Sequence, residues 1–248
     1  MPDQYFYDYE WDEEYCYPNS NVLKNKLNII DSEQLNNAER EITAMKILYF
    51  KKNPIAGKFD FNHLKEIHRA IFSDIFIWAG KSRNVNIAKG NMFCLSQHLD
   101  SYASSIFEKL KSENYLLEIP RENVPKRLAY YLSEINVLHP FREGNGRTQR
   151  LMIEYLAGIN GFSVDYSHVS RRDMIEASAY AFVKKYDKIN QMFNDITKRI
   201  SLEEQEEYIR CFFGDESPQL KLFYSIEKNN FNICEEETEE MDFEMKME

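Results

Sequence analysis

Between residues 61 and 193 apolar side chains recur three and four places apart, a spacing that gathers them on one face only if the backbone is helical. Phe61, Leu64, Ile67 and Ile71 follow it, as do Leu99, Tyr102, Ile106 and Leu110, then Leu128, Tyr131, Leu132 and Ile135. Leu151, Tyr155 and Ile159 continue it, and Met174, Phe182, Tyr186, Ile189 and Phe193 form the last run. The punctuation agrees. Asp60 suits an N-cap, Pro125 suits the first turn of its helix, and Gly158 and Gly161 loosen and end the helix that precedes them. A further helix from about residue 200 would use Tyr208, Ile209 and Phe212. One stretch departs from the period. In residues 83–94, RNVNIAKGNMFC, Val85 and Ile87 alternate with polar neighbours ahead of Lys89-Gly90-Asn91 and Met92-Phe93-Cys94, which predicts a small β-hairpin. The expected fold is mostly α, a helical bundle with one hairpin.

Charge narrows the partners. The 248 residues carry a formal net charge of −10, yet residues 3–14 hold six acids and no base, and the last fifteen residues hold eight acids and one lysine. The body between these ends is therefore mildly positive, about +3. A negative total disfavours a general nucleic-acid binder, whereas a mildly positive body can hold a small polyphosphate. The two ends read as solvated acidic tails. No run of about 18 apolar residues occurs, so no membrane partner is expected. The acidic start lacks the basic and apolar regions of a signal peptide, which makes a cytosol the expected location. Cys16, Cys94, Cys211 and Cys234 stand far apart without a CxxC pair, which argues against a zinc site or a disulfide framework.

The most informative residues are 139–150, HPFREGNGRTQR, between two of the helical runs. Pro140 pushes its predecessor out of right-handed helical geometry, so a helix should stop at His139. The imidazole then lies at a helix C-terminus, where the dipole favours its protonated form and suits it to accept a proton near neutral pH. Phe141 is expected to plug the core. Gly144-Asn145-Gly146 frees the backbone so that successive N–H groups converge on an anion at the start of the next helix. Arg147 and Arg150 share a face of that helix, and two guanidinium forks there suit more than one phosphate. Glu143, an acid among cations and phosphate, suits Mg²⁺. Singly, each has an ordinary structural explanation; their conjunction within twelve residues favours chemistry.

HPFREGNGRTQR resembles the complete signature of the Fic family, enzymes that transfer AMP from ATP to a protein hydroxyl. FIWAGKSRNVNIAKGNMF (76–93) resembles the family's segment leading into its flap hairpin, and YCYPNSNVLKNKLNI (15–29) resembles the N-terminal stretch of bacterial Fic proteins related to type IV secretion effectors. The similarity spans roughly residues 15–195. It implies a Fic-type helical bundle over 15–200, preceded by an acidic segment (1–14) and followed by a helical extension with an acidic tail (201–248). It implies that His139 is the general base, that Glu143 holds Mg²⁺ between the α- and β-phosphates, and that Asn145 with the Gly144 and Gly146 amides grips the phosphates of ATP. Arg147 would bind the β-phosphate and Arg150 the γ-phosphate. Ile87, Ala88, Lys89, Gly90, Asn91, Met92 and Phe93 would form the flap that holds a target protein strand to strand. Toxins of the family act on proteins in a bacterial cytosol and secreted relatives on proteins in a host cytosol. Many members are restrained by a helix bearing [S/T]xxxE[G/N], whose glutamate pairs with the second motif arginine, here Arg150. No match occurs, SLEEQ (201–205) having glutamine where glutamate belongs, so restraint is expected from a separate small antitoxin-like protein acting at Arg150.

Other signals carry less. The histidines of HLKEIH (63–68) are five apart and fall on different helix faces, which suits no zinc-protease pattern. No GxxxxGK[ST] occurs, and His98 and His168 stand alone. Tyr180 and Phe182 fall where the family builds its adenine pocket, although a core stripe explains them equally well. Three functions stay open at this level: an AMP-transferring enzyme, the same scaffold with another donor or group such as UMP or phosphate, and a non-catalytic interaction module. Intact His139, Glu143, Arg147 and Arg150 favour the first, since a pure binder has no need of a base.

Overall fold

The computed structural model describes residues 14–89 and 91–228; Gly90 and all but the last residue of the expected N-terminal acidic segment, with the tail from 229, lie outside it. At the centre is α5 (Asn145–Ile159), eleven of whose fifteen residues are buried. A helix buried nearly all round must be enclosed by others. Against it pack α4 (Val124–Leu138), α2 (Phe61–Phe72) and α8 (Leu202–Phe213). The far side of α4 is covered by α3 (Leu99–Ser112), α6 (Arg171–Phe182) and α7 (Asp187–Ile196). The expected apolar stripes face this core: Leu64, Ile67, Leu128, Tyr131, Leu151, Tyr155 and Phe193 are at most 1% exposed, whereas Met174, Phe182 and Tyr186 of the last run are half-buried. Asp60 caps α2 by accepting from the His63 N–H at 2.8 Å, and Pro125 occupies the first turn of α4.

Three features depart from the sequence reading. The first is an additional helix, α1 (Ser32–Lys52), packed on α2. Its fully buried residues are Leu35, Glu39 and Thr43, two of them polar, while Ile42, Ile47 and Phe50 are only partly buried against the core, so its apolar face is weak. The second is the split of the final apolar run into α6 and α7. Lys184 takes φ +61°, and the N–H of Lys185 reaches back to the Tyr180 carbonyl at 3.0 Å, a left-handed cap with lysine where glycine is usual. The third is a second small sheet, in which Phe162–Val164 pairs antiparallel with Thr197–Arg199. The expected hairpin is present but short: β1 (Ala88–Lys89) pairs with β2 (Asn91–Met92), with Ala88 opposite Met92.

Gly158 has a packing role rather than a loosening one. A Cβ there would lie 2.7 Å from the ring of Tyr208, so its lack of a side chain is what lets α8 lie against α5. Gly158→Ala should lower stability by about 1–3 kcal/mol through overpacking, read by urea denaturation, and the loss should shrink in a Tyr208→Ala background.

Candidate active site

The corner between α4 and α5 begins at His139, the C-cap of α4, in a left-handed conformation (φ 44°, ψ 59°). Its N–H closes the helix on the Ile135 carbonyl at 3.0 Å. Its Nδ1 faces the Asn136 carbonyl at 3.2 Å. A carbonyl can only accept, so Nδ1 carries the proton in the neutral ring and the lone pair is on Nε2. The ring of Phe93 stacks on the imidazole with centroids 3.8 Å apart and planes 11° apart, which fixes its tilt. Sequence reasoning missed the residue that joins these parts. Arg83, 2% exposed, donates from Nε to the His139 carbonyl at 2.9 Å, from Nη1 to Val85 at 2.5 Å, and from Nη2 to Cys94.

Beyond the corner, the Asn145 carboxamide bonds the Phe141 backbone on both sides, accepting from its N–H at 2.8 Å and donating to its carbonyl at 2.7 Å. That side chain shapes the loop instead of reaching for a ligand, which leaves its backbone N–H for an anion. Gly144 (φ +82°) is packed so tightly that a Cβ would lie 2.3 Å from the Phe72 ring. Its N–H donates to Glu143 Oε1 at 2.8 Å, so a carboxylate sits at the N-terminus of α5, where the dipole and the first-turn N–H groups attract negative charge. The loop rests on His68, fully buried, whose Nδ1 accepts from Gly80 N at 2.8 Å and whose Nε2 donates to the Glu143 carbonyl at 2.9 Å. The helix HLKEIH thus has both ring nitrogens of His68 engaged in hydrogen bonds. It holds the motif through one of the histidines that its spacing made unremarkable.

Arg147 stands on the Phe72 ring, its guanidinium carbon 4.8 Å from the centroid. From α1, Glu39 pairs with its Nη2 and the Thr43 hydroxyl accepts from its Nη1 at 3.0 Å; Glu143 Oε1 is 3.7 Å away. Burial raises the pKa of Glu39 against the opposing pull of Arg147. The sequence signal for this pair was present: two polar residues four apart on one helix face, Glu39 and Thr43. Arg150 is different. It is half-buried, no acid lies within ion-pairing distance among the described residues, and burial lowers its pKa.

His139, Glu143, Gly144, Asn145, Gly146, Arg147 and Arg150 all line one cavity of about 860 Å³. Its opposite wall comes from α6, where Met174, Ile175 and Phe182 present apolar surface. Tyr180 does not line it. The flap contributes Asn91 and Phe93, while Ile87, 2% exposed, is turned into the body. Ala88 is half-buried and Asn91 and Met92 are exposed at the tip, whereas Gly90 lies outside the described residues. The arrangement can cradle a chain of anions along the start of α5 with a flat apolar wall beside it and an imidazole at one end. No cluster of three or more metal-ligating side chains occurs among the described residues, so a protein-only metal cage is not built here. One carboxylate beside an anion cradle does fit Mg²⁺, which takes few protein ligands and shares phosphate oxygens. No helix of the described residues is long and apolar enough to cross a membrane.

Residues 58–157 match the Fic/DOC family model. The chain is 37% identical over 174 residues to "Protein adenylyltransferase VbhT" of Bartonella schoenbuchensis, a match covering 70% of this chain and 36% of that protein, so it spans about a third of VbhT. It is 31% identical over 183 residues to "Probable protein adenylyltransferase Fic" of Escherichia coli, covering 73% of this chain and 90% of that one. Among solved structures it resembles the Bartonella tribocorum effector BepC with bound AMPPNP (25% identity, TM-score 0.72, covering 78% of this chain and 100% of the other). It also resembles the N-terminal Fic domain of a VirB-translocated Bep effector from Bartonella quintana with bound ADP (29% identity, TM-score 0.72, covering 77% and 97%).

The support under the loop has a pH signature. Burial drives the His68 pKa down to about 4. Unfolded, an imidazole takes up a proton below about pH 6.5. Between these values the unfolded chain binds the extra proton, so the contribution is complete above pH 6.5 and is lost progressively towards pH 4. The loss should reach about 3 kcal/mol. Urea denaturation of wild type and His68→Gln across this window should show the steeper acid decline in wild type; parallel curves would contradict it.

Proposed function

We propose, from the premise that this chain belongs to the Fic/DOC family, that it is a protein adenylyltransferase that moves AMP from ATP to a hydroxyl side chain of a target protein. The observation that carries the reading is a single cavity shared by an imidazole with its lone pair on Nε2, the N-terminus of a long helix and two arginines. That BepC binds AMPPNP and a Bep effector binds ADP supports ATP as the donor.

In this reading the triphosphate lies along the start of α5, where the first-turn N–H groups and the helix dipole meet its charge. Arg147 takes the β-phosphate and Arg150 the γ-phosphate, each as a planar fork. Asn145 contributes its backbone N–H and the shape of the loop. Glu143 would hold Mg²⁺ together with phosphate oxygens, which supplies positive charge to the departing pyrophosphate. The apolar wall of α6, with Phe182, suits the adenine ring. A target hydroxyl then attacks the α-phosphorus: the new O–P bond forms, the bond to the β-phosphate oxygen breaks, and the hydroxyl proton passes to His139 Nε2. Phe93 and Arg83 hold that imidazole in place, so little reorganisation accompanies the step.

The hairpin of Ala88–Lys89 with Asn91–Met92 is two-stranded, and strand pairing at its edge would present the target's side chain by backbone contacts alone. Such pairing asks little of the target's sequence. The absence of an ion-paired acid at Arg150 among the described residues supports restraint by a separate small antitoxin-like protein supplying one.

With ATP labelled at the α-phosphate, protein should become labelled; with the γ-label it should not. Label retained only from the γ position would make the chain a kinase, and none from either would leave a donor other than ATP, tested with α-labelled UTP, or a binding module. His139→Ala should reduce transfer about 10²–10⁴-fold while ATP binding persists.

A further inference from the structure

We propose that Lys51, in the last turn of α1, is a positioning residue for Arg150: it holds Glu154 away from an arginine that must stay open to a phosphate. The inference rests on the proposed function in one respect, the assignment of the γ-phosphate to Arg150.

Arg150 and Glu154 are four residues apart in α5 and so share a helix face, with Cβ atoms about 5–6 Å apart. A guanidinium and a carboxylate so spaced are within reach of each other. Here they do not pair. Glu154 Oε2 lies 2.8 Å from Lys51 Nζ, and its side chain is only 15% exposed. Burial raises the pKa of Glu154 and lowers that of Arg150, so each charge is held in surroundings that disfavour it. Lys51 and Arg150 are the two cations that favour the ionised carboxylate of Glu154. A buried carboxylate that loses its partner is strongly destabilised and turns to the next cation within reach. Without Lys51 that cation is Arg150. The carboxylate would then occupy N–H donors that the γ-phosphate needs and cancel the charge that attracts it.

Lys51 thus acts from outside the segment that the family model matches, as Glu39 and Thr43 do on Arg147. One helix, α1, orients the first motif arginine directly and keeps the second one open by removing its natural partner. Glu154 is a latent inhibitory acid carried by the same helix as the arginine it would block.

Isothermal titration of the whole chain with AMPPNP and with ADP tests this, because only the former carries a γ-phosphate. Lys51→Met should weaken AMPPNP by about tenfold or more, the scale of a lost charge-assisted contact, and leave ADP affinity unchanged. Adding Glu154→Gln to Lys51→Met should restore AMPPNP affinity, and Glu154→Gln alone should bind as wild type does. Thermal melts of the same variants identify any that fail to fold, and the double variant keeps the test open if Lys51→Met is one of them. Equal AMPPNP affinity in wild type and Lys51→Met overturns the inference. So does an equal loss of both nucleotides that Glu154→Gln does not repair. A wild-type chain that binds AMPPNP no better than ADP overturns the γ-phosphate assignment and the inference with it.

Discussion

The buried guanidinium of Arg83 joins the segments on which this site depends. Its N–H groups reach the carbonyls of His139, Val85 and Cys94, which belong to the α4 terminus and to the two flanks of the hairpin. A buried charge is costly unless hydrogen bonds surround it, and here they do. The charge also sits at the C-terminal end of α4, where the helix dipole is negative. The backbone repeats the link, since Arg83 N donates to the Pro140 carbonyl at 2.8 Å and Cys94 N to Val137 at 3.0 Å. The flap and the proposed base therefore cannot move independently. Phe93, stacked on His139, is the side-chain expression of that coupling.

The second constraint is electrostatic. The N-terminus of α5 attracts anions, and the Glu143 carboxylate occupies part of that role through the Gly144 N–H. Arg147 is shared between Glu39 and Glu143, so its charge is balanced before any phosphate arrives and its orientation is set from α1. Preorganisation of this kind moves the cost of arranging charges from the reaction into folding. Phe72 serves both halves, as the floor under Arg147 and as the wall that excludes any side chain at position 144.

Much of the fold was legible because helices built around one core repeat a period. Leu64, Ile67, Leu128 and Leu151 follow it and are buried as expected. What escaped has physical causes. Helix α1 buries the polar Glu39 and Thr43 and leaves Ile42, Ile47 and Phe50 only partly buried, so its apolar face is blurred. The break between α6 and α7 has lysine at a left-handed cap that usually holds glycine. Strands of three residues, Phe162–Val164 and Thr197–Arg199, are too short to show alternation. Within the motif the expected residues gather in one cavity, but Asn145 turns its side chain to Phe141. Arg83 and His68 support the site from distant segments, and nothing local to either marks it as more than a buried polar residue.

The most direct test of the account is a crystal structure of the chain with an ATP analogue and Mg²⁺. The α-phosphorus should face Nε2 of His139 beneath the flap, with the β- and γ-phosphates running along the start of α5 onto Arg147 and Arg150. A triphosphate seated elsewhere, or in that cavity with its α-phosphate turned away from the imidazole, would contradict it.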